Sequence, residues 1–152
     1  MIDGLAGVKI KLADAELDVL HPQEAPNTVV KDTNLYSIVT KLVFGQNSFL
    51  FTGDLTSDEE AKLIQNNTDL SAKVLKVGHH GSKYSSSNEF LDKVNPQDTI
   101  ISVGKNNRFG HPAPEALERI RSHAINIFRT DEMGDIEYIC ANLASACQMI
   151  TD

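Results

Sequence analysis

The chain has 152 residues and a formal net charge of −7 at pH 7, and 41% of its residues are hydrophobic. This composition excludes a disordered chain and suits one domain over residues 1–152, or one part of a larger domain. The acidic balance disfavours broad binding to nucleic acid, although it leaves room for a local site where metal ions offset acidic groups. Since tryptophan is absent and aromatic residues make up 6%, the composition shows no platform on which bases would stack.

Neither a membrane span nor a signal peptide is visible in the sequence. No apolar run approaches the length of a span, and the N-terminus lacks a basic start followed by an apolar stretch. As written, the chain is therefore expected to be soluble and cytoplasmic. Cys140 and Cys147 match no zinc motif and are expected to be small apolar residues in a reduced protein, with a disulfide as the alternative.

The first part of the chain predicts strands. Residues 8–20 alternate apolar and polar side chains on either side of Ala13 and Asp14, which predicts a β-hairpin. A loop rich in Pro, Asn and Asp follows over residues 21–34. Residues 35–54 then predict two more strands, joined by a turn near Gly45.

The remainder alternates helices with strands. A helix is predicted over 57–66, with Ser57 as its N-cap and Glu60 completing a capping box. The later elements are a strand over 73–77, a short helix capped by Ser87 or Asn88 and ending at Val94, a strand over 99–103, a helix over 114–123, and strands over 125–130 and 135–141. The tail over 141–152 stays unassigned. This alternation predicts an α/β or mixed α+β architecture.

Four stretches place polar, metal-compatible side chains just beyond a predicted strand. They are TNLYS (33–37), FTGDL (51–55), GHHGS (78–82) and NNRFGHP (106–112). In α/β folds, ligands usually bind beyond the carboxyl ends of the strands. These four stretches are therefore the candidate functional loops.

Asp54 follows the apolar strand SFLF and a Thr-Gly turn. Gly53 lets the backbone bend sharply, so that the carboxylate can point over the strand ends. A carboxylate can bridge two divalent ions through its two oxygens. The alternative is that Asp54 only caps the helix that follows.

His79 and His80 form the strongest local signal, because two imidazoles on a tight glycine-flanked loop suit metal binding or acid–base chemistry. One ring can bind metal while the other contacts substrate or a water. Ser82 and the serines at 85–87 can present backbone amides to an anion, although helix capping is preferred for the serines at 85 and 86. A solvated loop is the alternative for both histidines.

His111 precedes a proline at the start of a predicted helix and can point across the same face as the other histidines. Asn107 offers an amide for hydrogen bonding, and Arg108 offers a charge for a phosphate. The alternative is a surface loop with a structural Asn turn. Elsewhere, His123 is expected to be structural because a cation suits a helix C-terminus, and His21 either ends the second strand or is a loop residue.

Taken in order, these stretches resemble the metallo-β-lactamase superfamily, and best the branch found in the C-terminal domain of the competence protein ComEC and in related stand-alone hydrolases. The motifs are LDVLHP, TNLYS, TGD, VLKVGHHGSKYSS and NNRFGHP, then a threonine followed by a Gly turn. The resemblance runs from about residue 4 to about residue 140. TGD, HHGS and NxxGHP are specific together, although each is weak alone.

The resemblance implies a mixed α/β fold that forms the C-terminal half of an αββα sandwich. It also implies one or two zinc or manganese ions at the strand ends and hydrolysis by a metal-activated water. Asp54 matches the bridging carboxylate, and one of His79 and His80 matches the last histidine ligand, with His80 slightly favoured. The other matches lie near the substrate: Asn34, Ser37 and Ser82 as contacts, and His79, His111, Asn107 and Arg108 as catalytic groups.

The departure from the family is large. Its principal metal motif, His-x-His-x-Asp-His, lies in the N-terminal half of the fold and does not occur here. The chain therefore resembles the C-terminal half of the domain, with about half of the ligands. Three explanations compete: a truncated chain, a split enzyme completed by another polypeptide, or a degenerate non-catalytic module.

Two functions follow from this resemblance. The first is the C-terminal part of a metal-dependent hydrolase, phosphodiesterase-like or nuclease-like, with a phosphoester or nucleic-acid substrate and a link to competence and DNA uptake. The second is a non-catalytic binding or interaction module. Its uncovered sheet face would need a partner, such as an N-terminal half-domain polypeptide or a second copy of the chain. Derivation from a ComEC-like membrane protein would allow an extracytoplasmic location.

Overall fold

The computed structural model describes residues 4–26 and 31–151. The predicted loop over 21–34 therefore falls outside the described residues at positions 27–30. Residues 1–3 and residue 152, at the ends of the predicted domain, lie outside them as well. Among the described residues, no helix is long and apolar enough to cross a membrane.

A seven-stranded mixed sheet forms the body of the protein, with its strands in chain order. The strands are β1 (Lys9–Leu12), β2 (Ala15–His21), β3 (Val39–Phe44), β4 (Asn47–Phe51), β5 (Val74–Lys76), β6 (Asp98–Ile101) and β7 (Asn126–Arg129). The helices are α1 (Ser57–Gln65), α2 (Asn88–Val94), α3 (Pro114–Ser122) and α4 (Thr130–Met133). A separate hairpin, β8 (Ile136–Ile139) and β9 (Gln148–Thr151), completes the chain. The predicted mixed α/β class is confirmed.

The strand directions place the candidate loops together. Neighbouring strands from β1 to β4 are antiparallel, and those from β4 to β7 are parallel. Two reversals make β2 run in the same direction as β4. The last residues of β2, β4, β5, β6 and β7 therefore lie along one edge of the sheet, which we call the carboxyl edge.

One face of the sheet is covered by helices. Leu50, Leu75 and Ile101 point to this side from three adjacent strands, and each is 0% exposed. Together with apolar side chains of the helices, such as Phe90 and Ile120, they form the core. Burying a side chain of this size is worth about 1.5–3 kcal/mol, so this layer fixes the position of the sheet.

The other face of the sheet is only partly covered. Tyr138 on β8 packs edge-on against Phe49 at 5.4 Å between ring centroids, and its hydroxyl donates to Asp98 Oδ2 at 3.0 Å. Beside this contact lies a cavity of about 620 Å³, lined by residues of the central strands such as Phe51 and Lys76. Phe51 is 37% exposed there. This half of the sheet surface is open in the described part of the chain.

The predicted reduced cysteines are wrong. Cys140 and Cys147 form a disulfide that joins the end of β8 to the segment before β9. The buried Asn47 side chain ties this segment to β4, because its Nδ2 donates to the Ser145 carbonyl at 2.9 Å and its Oδ1 accepts the Cys147 N–H at 2.9 Å. The described part of the tail that the sequence leaves unassigned, residues 141–151, thus supplies the second strand of this hairpin.

The predicted capping box of α1 is also wrong. The N-cap position is Thr56, which makes no capping hydrogen bond through its side chain. Glu60 is 1% exposed and accepts backbone N–H groups from Ser86 and Ser87, on a loop far along the chain. By contrast, Ser87 caps α2 as predicted, since its hydroxyl accepts the Phe90 N–H.

The Lys41–Asp69 ion pair gives a prediction about acid stability. Lys41 Nζ donates to Asp69 Oδ2 at 2.8 Å, and this contact, with help from Ser71, lowers the pKa of Asp69 to about 2. We expect Asp69→Asn to lower the free energy of unfolding at pH 7 by under about 1 kcal/mol, because the exposed carboxylate is screened by solvent.

The pH dependence of this loss has a fixed sign. Since the folded pKa of about 2 lies below the ordinary value of 3.8, the stabilisation is present above pH 3.8 and disappears as the pH falls toward 2. Urea unfolding of wild type and Asp69→Asn should therefore converge over that range. A constant difference down to the lowest pH would contradict the assignment, and Asp58→Asn serves as an exposed control.

Candidate functional site

Three loops meet at the carboxyl edge. They follow β4, β5 and β6 and contain the TGD, HHGS and NNRFGHP sequences. The His79 N–H donates to the Gly53 carbonyl at 3.0 Å, and the Ala113 N–H donates to the Gly81 carbonyl at 2.8 Å. The loop over 78–82, which we call the histidine loop, is therefore bonded to the loop on either side of it.

The two histidines of this loop have an unusual backbone conformation. His79 has φ +49° and His80 has φ +54°, in the left-handed region that residues with a side chain rarely adopt. Hydrogen bonds hold the loop in this conformation: the Ser82 N–H donates to the His79 carbonyl, and the Ser85 hydroxyl donates to the Gly78 carbonyl. Strain of this kind persists where the surroundings fix it, and it concentrates at functional sites.

His80 is oriented toward Asp54. Its Nδ1 lies 2.6 Å from the Ser102 carbonyl, and its Nε2 lies 3.8 Å from Asp54 Oδ1. Because a carbonyl oxygen only accepts hydrogen bonds, Nδ1 carries the hydrogen and the neutral ring has its lone pair on Nε2. This is the arrangement in which histidine binds metals, with the second nitrogen anchored by a backbone carbonyl.

Asp54 is positioned by Ser37 and Gly53. The Asp54 N–H donates to Ser37 Oγ at 3.1 Å, and Gly53 has φ +54°. A side chain at Gly53 would lie 3.3 Å from Ser37 Cβ, so glycine permits this close approach. The Asp54 side chain is 43% exposed, and α1 has its N-cap at Thr56. The alternative that Asp54 caps α1 is therefore excluded.

His111 lies against His79 on one side and Phe109 on the other. The ring centroids are 5.7 Å apart for His79 and His111, and 6.1 Å apart for His111 and Phe109. Burial lowers the pKa of His111 below its ordinary value, and the charges of His79 and His80 lower it further. The buried Nδ1 of His111 makes no hydrogen bond to the described residues. A neutral imidazole with a free nitrogen can accept a proton.

Asn107 organises the loop that carries His111. Its Nδ2 donates to the carbonyls of His111 and Gly104, at 2.6 and 3.2 Å, and its Oδ1 accepts the N–H groups of Phe109 and His111. Asn107 therefore forms a structural Asn turn, and its role toward substrate stays a prediction. Arg108, next to it, is exposed and forms no ion pair within the described part of the chain.

The three predicted substrate contacts have mainly structural surroundings. Ser82 is 3% exposed and its Oγ accepts the Tyr84 N–H, so its side chain forms part of a turn, and its contact with substrate stays a prediction. Ser37 positions Asp54, as described above. Asn34 lies in a short 3-10 turn, where its N–H donates to Asp32 Oδ1 and its carbonyl accepts the Ser37 N–H.

The other two histidines are buried or half-buried in structural positions. His21 ends β2, is 5% exposed, and places its two ring nitrogens 2.8 Å from the Ser37 carbonyl and 3.3 Å from Glu59 Oε2. It thus supports the turn that holds Asp54. His123 follows α3 with Nδ1 at 2.8 Å from the Arg119 carbonyl, and is structural as predicted.

The sequence does not reveal the supports of the histidine loop. Burial raises the pKa of Glu60 above its ordinary value, while the backbone N–H donors of Ser87 and Ser86 and the charge of Arg119 oppose this shift. Ser102 orients His80 through a backbone carbonyl, which any residue type supplies.

Asp54 and His80 are the described side chains to consider as metal ligands. No group of three or more His, Cys, Asp and Glu side chains that could hold a metal ion is found in the part of the chain that the structure describes. Asp54 and His80 converge as two donors, whereas zinc takes three or four protein ligands. An imidazole and a carboxylate are groups that bind zinc or manganese, and two of them are fewer than a complete zinc site contains.

The fold and this edge define a mixed α/β domain with a histidine–carboxylate site at the strand ends. No family model matches the chain. It is 39% identical over 132 residues, or 87% of its length, to ComE operon protein 3 of Bacillus subtilis, and 37% identical over 124 residues, or 81%, to competence protein ComA of Neisseria gonorrhoeae. It is 36% identical over 110 residues, or 72%, to recombination protein 2 of Haemophilus influenzae.

These homologues are much longer than the chain. The matches cover 17%, 18% and 14% of the three relatives, so the chain spans less than a fifth of their length. The chain is thus homologous to one segment of a group of proteins that includes a competence protein. The competence part of the predicted relationship is confirmed at this level.

Proposed function

We propose that this chain is the C-terminal part of a metal-dependent phosphodiesterase of the metallo-β-lactamase type. The observation that carries the proposal is the pairing of His80 with Asp54. The anchored Nδ1 and the 3.8 Å separation of Nε2 from the carboxylate leave both donors turned toward a common point. The left-handed backbone of the histidine loop costs free energy, and strain of this kind is found where side chains bind a ligand.

Asp54 and His80 would hold a zinc or manganese ion together with ligands from a preceding segment, another polypeptide or a second copy of the chain. When bound, the ion would act as a Lewis acid and lower the pKa of a bound water. His79 lies against the ring of His111, and its role would be to contact a substrate oxygen. His111, neutral and partly buried, is the residue of this chain that would accept or return a proton.

The charges around the site favour an anionic substrate. Although the chain has a net charge of −7, residues 70–88 contain three lysines and no carboxylate. Residues 99–114 contain Lys105 and Arg108 and likewise no carboxylate. Of these cations, Lys83 directly follows the histidine loop, and Lys105 and Arg108 lie on the loop that carries His111. Arg108 is exposed and can pair with a phosphate.

The relatives suggest which phosphodiester is cut. One of them is named a competence protein and another a recombination protein, and both names concern DNA. We therefore extend the proposal to DNA as substrate, during its uptake. The disulfide between Cys140 and Cys147 supports a location outside the cytoplasm, because disulfides persist mainly in oxidising compartments.

A second candidate function is an interaction module without catalysis. It is favoured by the open sheet face around Phe51, with its cavity of about 620 Å³, and by the incomplete set of metal donors. Size-exclusion chromatography of the chain with light scattering bears on this candidate. Self-association that is lost in Phe51→Ser would support it, and a monomer that binds no apolar dye would count against it.

The proposed hydrolysis is tested by Asp54→Asn in the complete protein. We expect the rate of cleavage of a DNA oligonucleotide with Mn²⁺ or Zn²⁺ to fall at least about 100-fold, because a metal ligand is lost. Folding should be unaffected, since the side chain is 43% exposed and caps no helix. Asp58→Asn, on the first turn of α1, is the matched control. Full activity of Asp54→Asn would remove Asp54 from the site.

A further inference from the structure

Phe109 is exposed to a degree that packing does not explain. Its side chain is 83% exposed, the highest value among the large apolar residues of the described chain that are exposed. Its ring lies nearly parallel to His111, with an interplanar angle of 19°, which leaves the opposite face of the ring free. One face of the Phe109 ring therefore lies against His111, and the other face is exposed to solvent.

The loop holds this ring in place. The Phe109 N–H donates to Asn107 Oδ1 at 3.2 Å, and Gly110 turns the chain with φ +69°. The amide of Asn107 is in turn fixed by both ends of the loop. An exposed aromatic side chain on a fixed backbone is suited to binding a flat partner, because little conformational freedom is lost.

Phe109 borders the candidate site. Phe109 lines a cavity of about 450 Å³ together with His80, Ser102 and His111. Arg108 and Lys105 on the same loop supply positive charge, and no carboxylate lies between residues 99 and 114. An aromatic ring flanked by cations beside a hydrolytic site is the combination with which proteins bind unpaired nucleotides.

We propose that Phe109 stacks on an unpaired base of a single-stranded nucleic acid next to the phosphodiester that the site cleaves. This inference rests on the proposed function and adds to it a preference for single-stranded over double-stranded substrate. The bases of a duplex are already stacked inside the helix, so Phe109 favours single strands or frayed ends. Stacking reads the flat face of a base and gives little sequence preference.

The test is binding in the absence of metal, which separates it from catalysis. Fluorescence anisotropy would measure the affinity of the complete protein, in a chelator, for a labelled twelve-nucleotide oligothymidine and for an abasic strand of equal length. We expect Phe109→Ala to weaken binding of oligothymidine about 5- to 100-fold and to leave binding of the abasic strand unchanged. Phe109→Trp should keep the affinity for oligothymidine.

The control variant is Ile139→Ala, which removes a 52% exposed apolar side chain from β8, outside the site. Equal affinity of wild type and Phe109→Ala for oligothymidine would overturn the stacking role and leave the hydrolase proposal standing. An equal loss for both strands would overturn it too, because the effect would not depend on bases. If wild type bound neither strand, both the stacking role and the proposed DNA substrate would fall.

Discussion

Glu60→Ala is expected to lower the free energy of unfolding by about 3 kcal/mol, because one buried and one half-buried N–H group lose their acceptor. Glu60 Oε1 accepts the Ser86 N–H at 2.5 Å, and Oε2 accepts the Ser87 N–H at 2.9 Å. The carboxylate is 1% exposed, so water cannot replace it without local opening. Urea unfolding followed by circular dichroism would measure the loss.

The effect should reach the histidine loop. Arg119 donates to the carbonyls of Lys83, Ser85 and Ser86, and the Ser85 hydroxyl donates to the Gly78 carbonyl. Losing Glu60 would loosen the serines that connect these contacts, and the backbone amides at 82–87 should exchange faster with solvent. Glu89→Ala, an exposed carboxylate on the first turn of α2, is the control. A loss under about 1 kcal/mol for Glu60→Ala would show that these N–H groups find other acceptors.

Gly81→Ala is the second change with a large expected effect. Gly81 has φ +78°, and a methyl group there would lie 2.7 Å from Cβ and 3.2 Å from Cα of Pro112. Left-handed strain and overpacking each cost about 1–3 kcal/mol, so we expect a loss of about 3 kcal/mol in unfolding free energy. The loop that carries His111 should also move away from His79, which ring-to-ring nuclear Overhauser effects would detect.

Gly104→Ala is the matched control for this change. Gly104 lies in the same loop as His111, nothing is within 4 Å of a methyl group placed there, and its φ is an ordinary one. The free energy of unfolding of Gly104→Ala should therefore stay within about 0.5 kcal/mol of the wild-type value. Similar losses for the two variants would contradict the close approach of Gly81 to Pro112.

Local patterns predicted most of the fold. Alternating side chains identified β1 to β4, and Ser87 was recognisable as an N-cap because the helix that it caps follows directly. The capping box at Ser57 failed for the opposite reason. Glu60 has its partners 26 and 27 residues further along the chain. A local pattern does not show whether a glutamate accepts an N–H group of its own helix or of a distant loop.

The site was predictable only in outline. The candidate loops follow strands that end at one edge, which the order of elements indicates. The roles of individual residues depend on burial and on hydrogen bonds across the chain. Ser82 and Asn107 have side chains suited to binding substrate, yet they are engaged in turns. The sequence did not indicate Phe109, because the aromatic content is low and the exposure of a single ring depends on the fold.

The central claim is that Asp54 and His80 bind the same metal ion. A titration of the chain with Zn²⁺, followed by nuclear magnetic resonance of backbone amides and histidine rings, tests it most directly. We expect the signals of Asp54 and His80 to shift together, and both shifts to vanish in Asp54→Asn while they remain in Asp58→Asn. Shifts spread over unrelated residues, or the same shift of His80 in Asp54→Asn, would contradict the claim.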